Sequence, residues 1–102
     1  MSDIKDARKA LTRRILEGAG KSSTGERRAA FNNSGLTEPL RTLVDKVAVH
    51  ADRVSDADIA AAKASGLSED QVFEIVVCAA VGQATRQYEA AFAALDAASR
   101  KE

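Results

Sequence analysis

The stretch that decides the fold is VSDADIAAAKASGLSEDQVFEIVVCAAVGQATRQYEAAFAAL, which covers Val54–Leu95. A serine followed three residues later by an acidic or amide side chain is a helix-capping box, and this pattern begins at Ser55 and again at Ser68. Gly66 lies between the two boxes and predicts the end of the first helix. The second helix should run to about Ala98, so the segment predicts two helices joined by a tight turn.

The second of these helices carries apolar residues on two faces. One is a continuous stripe with helical spacing, formed by Phe73, Val76, Val77, Ala80, Ala84, Tyr88, Ala91 and Leu95. The opposite face is apolar near the helix start, and its residues are Val72, Ile75, Cys78, Ala79 and Gly82. A helix that is apolar on two faces must bury both. We expect the stripe, including the ring of Tyr88, to pack on the third and fourth helices, which should begin near Thr37 and Ser55. The second face should meet the N-terminal helices or another subunit.

The first half of the chain predicts three more helices. The first spans about Asp3 to Glu17, with an apolar stripe of Ile4, Ala7, Leu11 and Ile15. The second spans residues 24–32, and a third should begin at Thr37 with Pro39 in its first turn, where a missing N–H costs nothing. The sequence thus predicts an all-α fold of about five helices.

With 102 residues, the chain is long enough for one domain. We expect residues 1–35 to form an N-terminal helical pair and residues 36–98 to form the core. Because the chain is rich in alanine and poor in aromatic residues, its core should be modest, and extra burial by homo-oligomerisation is expected.

Charge and cysteine content narrow the functional classes. The chain has 15 basic and 15 acidic residues, with the basic excess in residues 1–53 and the acidic excess in residues 54–102. This balance argues against a dedicated nucleic-acid-binding protein. Cys78 is the only cysteine, the N-terminal MSDIKDARKALTRR has no apolar run, and no 18-residue apolar stretch occurs. We therefore expect a cytoplasmic protein with no membrane contact.

The run AAAKASGLSEDQVFEIVVCAAVG, residues 60–82, resembles the alkylhydroperoxidase D / carboxymuconolactone decarboxylase family. The resemblance covers roughly residues 36–98 and implies a small all-helical core in an oligomer. In the peroxidase branch, the helix before the glycine turn carries Cys-x-x-Cys-x-x-x-His, and the matching positions here are Ala51, Val54 and Asp58. A thiol–disulfide cycle needs two close sulfur atoms, so we expect no disulfide peroxidase chemistry.

Five residues remain as candidates for chemistry: His50, Asp58, Glu74, Cys78 and Arg86. A Cys–His pair would form a nucleophilic site if the two side chains met in space, although a cysteine in such an apolar run is typically a buried hydrophobe. Asp58 has a simpler role as a helix cap, and a metal site needs three or four converging ligands, so we predict no metal and no cofactor.

The basic pairs Arg13-Arg14 and Arg27-Arg28 are predicted on helix surfaces. They are the only residues that favour nucleic-acid contact, and they lack interleaved aromatic residues, so such contact is the weakest reading.

Three hypotheses of function follow. The first is a non-redox relative of this family that acts as an oligomeric binding, scaffolding or accessory subunit, with a protein partner. The second is an enzyme with a relocated acid–base site, built from the candidate residues around a small carboxylate or lactone. The third is a helical protein associated with nucleic acid.

Overall fold

The computed structural model describes residues 2–100, which form five α-helices and one short 3₁₀ helix. They are α1 (Ser2–Glu17), α2 (Thr24–Asn32), α3 (Leu40–Val49), the 3₁₀ helix (Ala51–Arg53), α4 (Asp56–Ala64) and α5 (Glu69–Arg100). This part of the chain contains no strand. The predicted all-α fold of about five helices is confirmed.

Both capping boxes form. The main-chain N–H of Ser55 donates to the carboxylate of Asp58 at 2.9 Å, and the N–H of Asp58 donates back to the Ser55 hydroxyl at 3.4 Å. Ser68 and Gln71 make the same reciprocal pair at 2.8 and 3.1 Å. Each pair satisfies N–H groups that the first helical turn leaves without a partner. Gly66 has φ +110°, a value that residues with a Cβ rarely adopt, so the turn requires glycine.

Helix α3 begins at Leu40, so the predicted start at Thr37 is wrong. The carboxylate of Glu38 lies outside the helix and accepts hydrogen bonds from the N–H and the hydroxyl of Thr42, at 2.9 and 2.7 Å. It thereby caps an N–H group of the first turn, and Pro39 precedes the helix instead of lying inside it. The hydrogen bond from the Thr42 hydroxyl, followed by that from its N–H, lowers the pKa of Glu38.

Helix α5 contacts all four other helices, and the core lies along one of its faces. That face is the short one, so the prediction that the longer stripe packs on the third and fourth helices is wrong. Gly82 explains why the short face is buried, because a Cβ atom at this position would collide with the main-chain carbonyl of Phe31 in α2. The absence of a side chain lets α2 approach α5 closely. The buried core is Leu16, Ala30, Leu40, Leu43, Val44, Ala62, Val72, Ile75, Cys78 and Ala79.

Most of the longer stripe of α5 is exposed, although Val76 and Val77 are partly buried. Phe73 is 67% exposed and Leu95 is 65% exposed, and Tyr88, predicted to bury its ring, is 39% exposed. Tyr88 is covered on one side by the guanidinium of Arg8, 3.8 Å from the ring centroid, and it stacks on Phe92 with centroids 6.0 Å apart. A cation over an aromatic ring shields it only partly from water.

The first helix also packs differently from its predicted stripe. Ile4 and Leu11 are about half exposed, whereas Leu16, outside the stripe, is buried. Only the end of α1 reaches the core, because α1 lies beside α5 at the margin of the bundle. The described residues 2–35 therefore pack on α5 of the same chain through α1 and α2. None of the helices described between residues 2 and 100 combines the length and hydropathy that a bilayer crossing requires.

Candidate functional site

The five candidate residues lie in three separate places. Glu74 and Cys78 line one small cavity between α1, α2 and α5. His50 lines a polar depression beside α3, and Lys46 of the same depression binds Asp58. Arg86 lies further along α5 and contacts α2. The structure does not bring His50 to the cavity that Cys78 lines, so it provides no Cys–His pair.

Glu74 holds the loop between α1 and α2. Its carboxylate accepts hydrogen bonds from the main-chain N–H groups of Lys21 and Ser22, at 2.9 and 2.7 Å. The bond from Lys21 is the largest cause that lowers the pKa of Glu74. A Cβ atom on Gly20 would lie 2.9 Å from the same carboxylate, so a larger residue here would displace the carboxylate from the loop.

Gln71 fixes the loop from the other side. Its side-chain amide donates to the main-chain carbonyl of Lys21 at 3.0 Å. The main-chain carbonyl of Gln71 accepts from the Ser22 hydroxyl at 3.2 Å. Ser22 is buried as a result. Sequence reasoning identified Gln71 as a cap of α5 but missed this second role, because its partners lie about 50 residues away along the chain.

Arg27 is buried, so its predicted position on a helix surface is wrong. It is 7% exposed, and its Nη1 donates to the carbonyls of Gly18 at 2.8 Å and Ile15 at 3.2 Å. These carbonyls belong to the end of α1, where the helix leaves acceptors unpaired. The neighbouring Arg28 is exposed and pairs with Glu17 at 3.2 Å.

One polar atom of Arg27 has no partner. Its Nε is buried and forms no hydrogen bond within residues 2–100. The carboxylate of Glu74 lies near enough for the Arg27 charge to lower its pKa, but its oxygen atoms already accept from the loop. A buried donor without an acceptor is costly, so this atom offsets part of the stabilisation that the other hydrogen bonds of Arg27 provide.

Cys78 lies at the same place and is 1% exposed. Its Sγ is 3.8 Å from the carbonyl oxygen of Ile15. Burial raises the pKa of the thiol, and the nearby charge of Arg27 only partly opposes this effect. The thiol therefore stays protonated at neutral pH, unlike the thiolate of a reactive cysteine.

These groups surround a cavity of about 170 Å³, which we call the Cys78 cavity. Its lining residues are Arg14, Ile15, Ala19, Arg27, Phe73, Glu74, Val77 and Cys78. Most of its wall is apolar, with two guanidinium groups, one carboxylate and one thiol. It is smaller than the pockets that hold drug-sized ligands, which are about 300–1,000 Å³.

The polar depression beside α3, where His50 and Lys46 lie, is explained by structural contacts. Asp58 completes its capping box and also accepts both hydrogen bonds from the ammonium of Lys46, at 3.0 Å. The bond from Lys46 is the largest cause that lowers the pKa of Asp58. His50 ends α3 and is exposed in the adjacent depression. Between residues 2 and 100, no group of three or more His, Cys, Asp or Glu side chains converges to hold a metal ion.

Arg86 has a structural role too. Its guanidinium donates to the carbonyl of Phe31 at 2.6 Å and to the side chain of Gln83 at 3.0 Å. Phe31 lies in the last turn of α2, so Arg86 satisfies a carbonyl that the helix leaves free. This contact lies next to Gly82 and fixes α2 against α5.

A different kind of site lies outside the core, where α1 and α5 run side by side. Leu11 of α1 and Ala84 and Tyr88 of α5 line one shallow groove between the two helices. We call the surface around this groove the α1–α5 face. Its exposed apolar residues are Ile4, Leu11, Phe73, Ala80, Ala84, Tyr88, Ala91 and Leu95.

Comparison with known proteins does not identify any of these sites. No family model, no curated protein and no solved structure matches the chain. The resemblance to the alkylhydroperoxidase D / carboxymuconolactone decarboxylase family therefore stays a prediction from residues 36–98.

Proposed function

We propose that this protein is a self-associating helical subunit, which binds a second copy of itself through the α1–α5 face and acts by binding or scaffolding and not by redox chemistry. The observation that carries the proposal is the exposed apolar stripe of α5. Phe73, Tyr88 and Leu95 lie on it, and a contiguous apolar surface of this kind usually marks an interaction site.

The size of the face fits a dimer. Helix α5 has 32 residues and α1 has 16, so at 1.5 Å per residue and a width of about 10 Å they offer roughly 700 Å². A stable protein–protein interface buries about 800 Å² per partner. The two values agree closely enough for a second copy to cover the face.

The charges of α1 and α5 also favour a second copy of the chain as the partner of this face. Helix α1 carries five Lys or Arg and three Asp or Glu, whereas α5 carries two Arg and five Asp or Glu. In a two-fold dimer, α1 of one copy lies over α5 of the other, and the reverse contact repeats the same match. Opposite net charge then favours this arrangement over one that stacks α5 directly on α5.

The proposal excludes disulfide chemistry because of the number and the environment of the sulfur atoms. The chain has one cysteine, and its thiol is buried and has a raised pKa. A dithiol cycle requires a second sulfur nearby and a reactive thiolate. The enzyme hypothesis with a relocated site is not favoured either, because His50, Asp58 and Arg86 lie away from Glu74 and Cys78.

The test is the mass of the protein in solution, measured by sedimentation equilibrium. We expect a wild-type dimer with a Kd of about 10 µM or tighter, since interfaces of this area have affinities from the micromolar to the picomolar range. Ala84→Arg places a long cation in the centre of the α1–α5 face, opposite the basic α1 of the partner, and should give a monomer.

Ala90→Arg is the matched control. Ala90 is exposed on α5 but faces away from the stripe, so this variant should remain a dimer with the same helical content. A wild-type protein that stays monomeric at about 100 µM, well above that Kd, would contradict the proposal, as would equal masses for the two variants.

A further inference from the structure

We infer that a basic depression between α1 and α2 binds a diphosphate group, either free or carried by an organic molecule. The depression has a volume of about 410 Å³, which lies within the range of about 300–1,000 Å³ that small-molecule pockets have. We call it the basic depression, because five basic side chains line it: Lys5, Arg8, Lys9, Arg13 and Arg28.

The lining of the basic depression carries a surplus of three positive charges. Between residues 2 and 100, its acidic lining residues are Glu17 and Glu89, against the five basic ones. Arg28 pairs with Glu17 at 3.2 Å, and the other four basic side chains form no ion pair within the same part of the chain. The depression therefore holds cations that the chain itself does not neutralise, and such a cluster attracts anions.

Three of these cations form one row along α1. Lys5, Lys9 and Arg13 follow one another at intervals of four residues, so adjacent members lie about 6 Å apart on the same side of the helix. Like charges at this spacing destabilise a helix, and a bound anion removes the repulsion. Self-association does not explain the row, since none of its members lines the groove of the α1–α5 face. All three are exposed, so a ligand reaches them without a change in the fold.

The charge of the depression selects phosphate over carboxylate. A phosphate group on an organic molecule carries about −1.5 to −2 charges at neutral pH, so two such groups balance a surplus of three. A carboxylate brings one charge, and three of them would have to converge in the same volume. Arg13 and Arg28 can each donate two parallel N–H bonds to phosphate oxygen atoms, and the lysine side chains add point charges on flexible stems.

The base of the depression separates the two sources of a diphosphate group. Leu16 is buried and Phe31 is half-buried, and both line the depression beneath the exposed cations. A free diphosphate leaves this apolar surface in contact with water, whereas the body of a diphosphate ester covers it and gains free energy from doing so. The affinities of the two kinds of ligand therefore identify the source.

The experiment measures the binding of inorganic diphosphate and of ADP by isothermal titration calorimetry, at low salt and without divalent cations. We expect one site per chain with a Kd of about 0.1 mM. AMP carries a single phosphate group and should bind at least tenfold more weakly than ADP. Tighter binding of ADP than of inorganic diphosphate identifies an organic diphosphate as the ligand, and inorganic diphosphate that binds at least as tightly as ADP identifies the free anion.

Two lysine variants locate the site. Lys9→Gln removes the central charge of the row from an exposed position and should weaken diphosphate binding about tenfold. Lys63→Gln is the matched control, because Lys63 is exposed on α4 and does not line the depression, so this variant should bind as wild type does. Circular dichroism should show the same helical content for both variants.

The inference is overturned if neither diphosphate nor ADP binds, if AMP binds as tightly as ADP, or if the two lysine variants weaken binding equally. Tighter binding of a short single-stranded oligothymidylate than of ADP would also overturn it, because the cations would then follow a nucleic-acid backbone. Ala84→Arg should keep this site while it loses the dimer, so failure of the site and failure of self-association are distinguishable.

Discussion

The two apolar faces of α5 differ in the size of their side chains, and the face with the smaller side chains is the buried one. Ile75, Cys78 and Gly82 lie in the core, whereas Phe73 and Tyr88, which are larger, are exposed. Transfer of apolar area alone would favour the opposite arrangement, because large side chains gain more free energy on burial.

The difference shows that the distance between helix axes decides which face is covered. At Gly82 the main chain of α2 lies where a Cβ atom would be, and this close contact brings Ala30, Ile75 and Ala79 together. Close packing supplies many dispersion contacts that a wider gap would lose. The larger stripe can be covered only by a surface that does not need to come so close, such as the same face of another copy.

The strongest way to break this arrangement is Gly82→Ala. The added methyl group collides with the carbonyl of Phe31, and since main chain cannot rotate away, the free energy of unfolding should fall by about 3 kcal/mol or more. Urea denaturation measures the change. Gly25→Ala is the matched control, because no atom lies within 4 Å of its new Cβ and helical alanine is favoured by about 0.5–1 kcal/mol. Two effects of the same sign would contradict the packing described for α2.

The second prediction compares the two faces directly. Ile75→Ala leaves a hole in the core and should lower the free energy of unfolding by about 3 kcal/mol. Phe73→Ala removes a larger side chain, but it is exposed, so the stability of the monomer should change by less than about 0.5 kcal/mol. Both are measured by chemical denaturation at a protein concentration below the Kd proposed for self-association. A larger loss for Phe73→Ala would reverse the assignment of the faces.

The third prediction compares a buried and an exposed residue of α2. Arg27→Met leaves the carbonyls of Ile15 and Gly18 without a donor and should cost about 2 kcal/mol of stability. Arg28→Met removes an exposed ion pair with Glu17 and should cost no more than about 0.5 kcal/mol. Thermal unfolding of the two variants, which have the same change in charge, measures the difference. Equal melting temperatures would place Arg27 in solvent.

The smallest effect is expected at Glu74, on the border between the two faces of α5. Glu74→Gln keeps the shape but weakens the bonds from Lys21 and Ser22, so stability at neutral pH should fall by about 1 kcal/mol. The pKa of Glu74 is lower in the folded protein, so its contribution is complete above the unfolded value of about 4.3 and is lost as the pH falls through the folded value.

Unfolding measured from about pH 6 to pH 3, a range that spans this titration, tests the sign. The gap between wild type and Glu74→Gln should close towards the acidic end. A gap that stays constant with pH would show that the charge of Glu74 does not hold the loop.

Local features of this fold were predictable from the sequence, whereas pairings across long separations were not. The capping boxes at Ser55 and Ser68 involve residues three apart, and both form as predicted. The apolar periodicity of α5 identified two faces, but their burial depends on the approach of α2 to Gly82, which no local pattern contains.

The candidate sites follow the same rule. Glu74 and Cys78 were named from the sequence, and the structure places them in one cavity. Arg27 was predicted on a helix surface, and its buried role was missed because its partners are main-chain carbonyls of Ile15 and Gly18, which have no sequence signature. The other three candidates have positions that helix ends explain. His50 ends α3, Asp58 caps α4, and Arg86 donates to a carbonyl at the end of α2.

The length of α5 has a consequence for its motion. The last 14 residues of α5, 87–100, extend about 21 Å beyond Arg86, and all of their positions are exposed. A free helix of this length is only marginally stable in water. Amide hydrogen exchange should therefore divide this single helix into a slow half and a fast half, with the boundary close to Arg86. Pairing of two chains would slow exchange in the outer half, so one continuous helix would report the assembly state through the lifetimes of its own hydrogen bonds.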